Sequence, residues 1–132
     1  MSESAGKVDP RIIVLSGGVG AERDVSLKSG QSLADALESV GQVDLIDLVE
    51  TALPPEMDPR SQVVFPIIHG TFGEDGTLQA LLEEAGFAYA GCDSKSSRLC
   101  MHKGKSKDLV SEAGVRVAKD IRFLEPREVS AE

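Results

Sequence analysis

"RIIVLSGGVGAERDVSLKSG" occupies Arg11–Gly30, and its reading decides the fold. The run Arg11–Gly18 starts apolar and β-branched without alternation, as a strand covered on both faces would, and ends in glycines. Those glycines let a backbone turn sharply or approach a ligand closely. Beyond them Val25, Ser29, Leu33, Ala36, Leu37 and Val40 recur at helical spacing, and Gly41 fits a helix stop. Strand, glycine turn and helix in that order make the first unit of a parallel α/β sandwich.

The rest of the chain continues the alternation. "QVDLIDLVE" (Gln42–Glu50) reads as a second strand, and "TALPPEMDPR" (Thr51–Arg60), with three prolines, as a surface connection. "QVVFPIIHG" (Gln62–Gly70) reads as a third strand. Pro66 has no N–H for a ladder, so it is expected at an edge-like or terminal position. "GTLQALLEEAG" (Gly76–Gly86) predicts a helix with Leu78, Leu81, Leu82 and Ala85 on one face, closed by Gly86. "FAYAG" is a short fourth strand, "SKSSRLCMHK" and "KSKDLVSEAG" are two short helices, and "VRVAKDIRFL" (Val115–Leu124) is a last strand. The predicted fold class is α/β, a small three-layer sandwich with a mainly parallel sheet.

At 132 residues the chain suits one compact domain that needs neither disulfides nor a metal to fold. No apolar run approaches the ~20 residues of a membrane span. "MSESAGKVDP" lacks the basic start and apolar core of a signal peptide and reads as a flexible tail over residues 1–10. Cys92 and Cys100 lack metal-site spacing and read as free thiols of a reducing cytoplasm. The net charge of −8 argues against nucleic-acid binding. The charge is uneven: residues 1–91 hold 5 Lys and Arg against 15 Asp and Glu, and residues 92–132 hold 9 against 7. Lys103, Lys105 and Lys107 in the basic third form either a solvated helix start or an anion site.

In parallel sheets, ligands sit beyond the carboxyl ends of the strands. Two unusual loops are expected there, "SGGVGAERD" and "HGTFGEDG". The first is not a dinucleotide fingerprint, because Arg23 stands where a third glycine should pack helix on strand. "GKS" at Gly104–Ser106 lacks the upstream glycine of a P-loop. Glu22 either complements a helix dipole or holds an ammonium group. His69 is either a structural strand-end histidine or a carboxylate receptor, with Glu74 in reach to orient its ring. On one rim, the pair would suit a small zwitterion such as an amino acid.

"VLSGGVGAERDVSLKSG", "FPIIHGTFGEDGTLQALLEEAGFAYAG" and "SSRLCMHKGKSKDLVSEAGVRVA" together resemble D-alanine–D-alanine ligases, in order and spacing, over about residues 11 to 124. The resemblance implies a Rossmann-like, pre-ATP-grasp N-terminal domain over residues 11–101. Residues 102–132 would then be a linker helix and the incomplete start of an ATP-grasp region. It implies an ATP-dependent ligase that activates one D-alanine as an acyl phosphate for attack by a second, supplying peptidoglycan precursors in the cytoplasm. By resemblance Glu22 holds the first D-alanine near its ammonium group, His69 lies near its carboxylate and Glu74 supports this region. Lys103 matches the lysine of a Met-Asp-Lys motif that reaches nucleotide phosphates, and Ser26 and Gly30 match packing and capping positions of the first helix. This chain departs from the pattern with Asp24 in place of a common Glu, His102 in place of the motif Asp, and Cys92 and Asp93 in a loop that often reads Gly-Ser-Gly.

The main ligands of ATP and magnesium in that family match no residue up to Glu132, and no metal ligand is assigned in this chain. The expected state is therefore a domain without ligase turnover by itself, with phosphate release in the presence of D-alanine and ATP as the test. Expected partners are D-alanine, bound weakly, the ATP-grasp domain in cis or in trans, and a second copy in a homodimer. That reading also expects an exposed apolar patch where the second domain docks. The alternative is a stand-alone small-ligand or partner-binding module derived from the domain.

Overall fold

A computed structural model describes residues 11–122, so the tail at 1–10 and residues 123–132 lie outside the described residues. The elements are β1 (Arg11–Gly17), α1 (Arg23–Leu37), β2 (Val43–Leu48), β3 (Gln62–Pro66), α2 (Thr77–Glu84), β4 (Ala88–Tyr89), α3 (Ser94–Met101) and α4 (Lys103–Glu112). The four strands form one parallel sheet in the order β2-β1-β3-β4. The protein is α/β as its sequence predicts.

β1 lies inside the sheet, and every residue from Ile12 to Gly17 is buried. Alternate side chains point to opposite faces of a strand. Ile12 and Val14 accordingly join Ala34, Leu33 and Leu37 of α1 on one face. Ile13 and Leu15 meet Leu78 and Leu82 of α2 on the other, with Val64, Phe72 and Phe87. Helix, sheet and helix make the three layers. Leu53 and Met57 of the proline-rich connection pack onto the α2-side core.

The apolar periodicity captures the inward face of α1 only in part: Leu33 and Leu37 pack on the core, but its buried line is made of small residues. Its buried residues are Ser26, Gly30 and Ala34, whereas Val25 and Val40 are exposed. The reason is close approach. A Cβ built on Gly30 would collide with Ser16 of β1 and lie 3.3 Å from Ile67 Cγ2. The helix sits too near the sheet for anything but small residues at that line. In α2, Leu78 and Leu82 are buried as expected, while Ala85 is exposed and Gln79 takes a buried place.

Pro66 ends β3 and lies beyond β4, which pairs only with Val63 and Val64, so its missing donor costs no ladder bond. The last predicted strand does not form among the described residues. From Val115 to Arg122 there is no strand; Lys107 Nζ bonds Ala118 O at 3.0 Å, and Arg122 bonds Asp108. The segment pairs with neither edge strand of the sheet, and side-chain bonds to α4 anchor it instead.

Candidate functional site

The chain runs from β1 through α1 to β2, then returns to β3 on the opposite side of β1. That reversal opens a crevice at the carboxyl ends of β1 and β3, the usual ligand position in such sheets. Gly17 and Gly18 turn out of β1 with φ of 83° and 89°, a region that favours glycine. Ser26 then bolts α1 to both strand ends. Its Oγ accepts from Gly17 N at 2.9 Å and donates to Ile67 O at 2.7 Å. The two loops singled out from sequence are thereby brought together. A Cβ on Gly20 would lie 4.0 Å from His69 O, and a Cβ on Gly70 would lie 3.0 Å from Glu22 Oε1. The Glu22 carboxylate therefore lies over the residue next to His69. Glu22 is exposed at the start of α1 and makes no side-chain cap bond, so its oxygens are not committed to the helix.

His69 has a polar neighbour at each ring nitrogen. Nε2 lies 3.4 Å from Ser29 Oγ on α1, and Nδ1 lies 3.6 Å from Glu74 Oε1. The other Glu74 oxygen accepts from Gly70 N at 2.9 Å. Glu74 thus ties the histidine to the loop that follows it. The same loop holds Phe72 at φ 76° with its ring buried in the core, a costly conformation for a bulky residue. Asp75 maintains it by accepting from Phe72 N and Thr77 N, each at 3.0 Å. Burial pushes the Asp75 carboxyl up, but the hydrogen bonds from Phe72 and Thr77 and the charge of Arg98 outweigh it and leave it below its ordinary value. Gln79 Nε2 adds a buried bond to Gly73 O at 2.8 Å.

Beside His69 and Glu74 opens a cleft of about 440 Å³, walled by Ile68, Gln79, Ser97, Cys100 and Met101 among others. α3 forms one wall and is moored by Glu83. That carboxylate accepts from Ser94 Oγ at 2.6 Å, Ser94 N at 2.8 Å and Tyr89 Oη at 2.7 Å. Desolvation and the Glu83 bond push the Tyr89 phenol up to about 12. Cys92 and Cys100 are free and exposed. Among the described residues, no three His, Cys, Asp or Glu side chains gather as a metal site, and no helix is long and apolar enough to cross a membrane.

Lys103 is not on this rim. It opens α4, is exposed, and makes no ion pair among the described residues. His102, where the ligase pattern has Asp, caps that helix with Nδ1 accepting from Lys105 N at 3.2 Å. Arg23 turns away from the crevice to pair with Asp47 at 2.6 Å and to donate to Gly18 O at 3.2 Å. Its departure from the dinucleotide pattern is therefore structural. Sequence reasoning passed over Ser29 as a site residue. The signal was present: Glu22, Ser26 and Ser29 stand at i, i+4 and i+7, one line along α1.

Residues 40–92 match the family described as "D-ala D-ala ligase N-terminus". The chain carries a D-alanine–D-alanine ligase N-terminal domain. It is 45% identical over 95 residues to the D-alanine–D-alanine ligase of Thermotoga petrophila, covering 70% of this chain and 31% of that protein. With the enzyme of Glaesserella parasuis it shares 41% identity over 109 residues, 82% of this chain and 36% of the relative. The chain thus spans about a third of the length of these curated relatives. Among solved structures, the D-alanine–D-alanine ligase of Bacillus anthracis complexed with ATP superposes with a TM-score of 0.78 at 29% identity, over 92% of this chain and 40% of that one.

Proposed function

We propose that this domain holds the first D-alanine of an ATP-dependent D-alanine–D-alanine ligase, with the ammonium group at Glu22 and the carboxylate at His69. The observation that carries this reading is the Glu22 carboxylate lying over Gly70, beside a histidine whose Nδ1 faces Glu74 at 3.6 Å. One acceptor and one donor converge on the crevice, as an amino-acid zwitterion requires. Glu74 acts through His69 and needs no contact with the ligand. Glycines at 18, 20 and 70 let the backbone come near so small a molecule.

The whole ligase activity requires an ATP-grasp domain in cis or in trans. Met101, Leu109, Val110, Val115 and Ile121, half of the ten exposed large apolar residues among those described, fall within residues 101–121, which supports docking of a further apolar surface there. Lys103 stands at a helix start, where backbone N–H groups favour anions, and we assign it a contact to nucleotide phosphate. We assign the boundary between residues 11–101 and a region beginning at 102 to the start of α4, whose lack of buried residues supports it. The described residues offer magnesium no donor set, so no step is assigned to it.

Titrating D-alanine into the 132-residue chain, followed by amide chemical shifts, tests the binding role. Saturable binding in the millimolar range is expected, since one domain supplies only part of the contacts. Glu22→Gln is expected to weaken it about tenfold, the loss of one charge-assisted bond. Unchanged affinity in that variant refutes the assignment of Glu22.

A further inference from the structure

We propose that the Ser29 hydroxyl is a second hydrogen-bond donor to the ligand carboxylate at His69; the inference rests on the D-alanine reading above. His69 Nδ1 faces Glu74, and the second Glu74 oxygen is bound to Gly70 N. Of the two ring nitrogens, Nε2 is therefore the one left for a ligand. A carboxylate that reaches Nε2 arrives beside Ser29 Oγ, which lies 3.4 Å from that nitrogen. Without a ligand the Ser29 O–H donates to Val25 O at 2.8 Å, one turn back along α1. Rotation about the Cβ–Oγ bond redirects the proton to the carboxylate without moving a heavy atom. The helix carbonyl it leaves keeps its intrahelical partner.

The placement also suits the ammonium end. Glu22 and Ser29 stand on one line of α1, with their Cα atoms about 10 Å apart along the axis at ~1.5 Å rise per residue. A glutamate side chain and a small zwitterion together span that gap. Ser29 thereby becomes a specificity residue: a paired donor set favours a carboxylate over a neutral amide of the same shape, because charge-assisted hydrogen bonds are the stronger ones.

The test titrates D-alanine and D-alaninamide, which lacks the carboxylate, into the full 132-residue chain and its Ser29→Ala variant. Alanine is the best helix former, so α1 is expected to persist, with far-UV circular dichroism as the check. Ser29→Ala is expected to weaken D-alanine about tenfold and to leave D-alaninamide within about twofold. Equal D-alanine affinity in the two proteins overturns the Ser29 role alone. An equal loss for both ligands also overturns it, since that marks a structural effect. A wild-type chain that binds no D-alanine overturns the D-alanine reading itself, and the Ser29 role with it.

Discussion

The rim that carries Glu22 and His69 and the helix that carries Lys103 are held in place by different forces. The rim hangs from strands packed on both faces, bolted through Ser26 and locked by Asp75. α4 buries no residue, and its ties to the following segment are Asp108–Arg122 and Lys107–Asp120. Exposed ion pairs of this kind are worth little each. Groups that recognise a small ligand need fixed positions, and burial supplies them. A helix that meets a second domain can leave its packing to that partner.

Paired truncations should show the widest gap between the two regions. Leu82 is fully buried, and Leu82→Ala should cost about 3 kcal/mol. Leu109 on α4 is 52% exposed, and Leu109→Ala should stay within about 0.5 kcal/mol. Denaturant titrations that give equal costs would put α4 inside the cooperative core. A smaller effect is expected at the bolt. Ser26→Ala strands the Gly17 N–H and the Ile67 carbonyl and should cost about 1–2 kcal/mol, with faster exchange of the Gly17 amide as the local sign.

Acid should loosen the rim loop at a carboxylate that can be singled out by mutation. Asp75 has its carboxyl lowered on folding, so it stabilises the loop fully above the unfolded value of about 3.9. That contribution is lost as the pH falls through the lower folded value. Amide exchange at Phe72 and Thr77 should accelerate there, and Asp75→Asn should remove the pH step. The smallest expected effect is a gain. His102→Asp restores a stronger N-cap and should stabilise α4 by about 0.5 kcal/mol, read as slower exchange in that helix alone.

The sequence made the architecture readable wherever large apolar residues carry it. The buried run at Ile12–Leu15 and the turn from Gly70 into α2 stand close to where patterning puts them, while β3 ends at Pro66, short of the strand read through to Gly70. It misled where small residues do the packing. Ser26, Gly30 and Ala34 face the sheet, and a count of apolar residues passes over them in favour of Val25 and Val40. It also misled at Val115–Arg122, where an apolar alternation forms no strand and the segment is tied to α4 by side chains. The rim loops were legible from their glycines and charges. Ser29 shows in the sequence only as the third member of the line Glu22, Ser26 and Ser29, because its place beside Nε2 depends on which way the His69 ring turns.

On the function proposed above, the β1–β3 crevice is an amino-acid site, and amide shifts of the wild-type chain should register D-alanine there. Saturable changes are expected in residues 17–30 and 67–76 alone, with α4 unmoved. Absence of any change at millimolar D-alanine, or changes centred on α4, would contradict it.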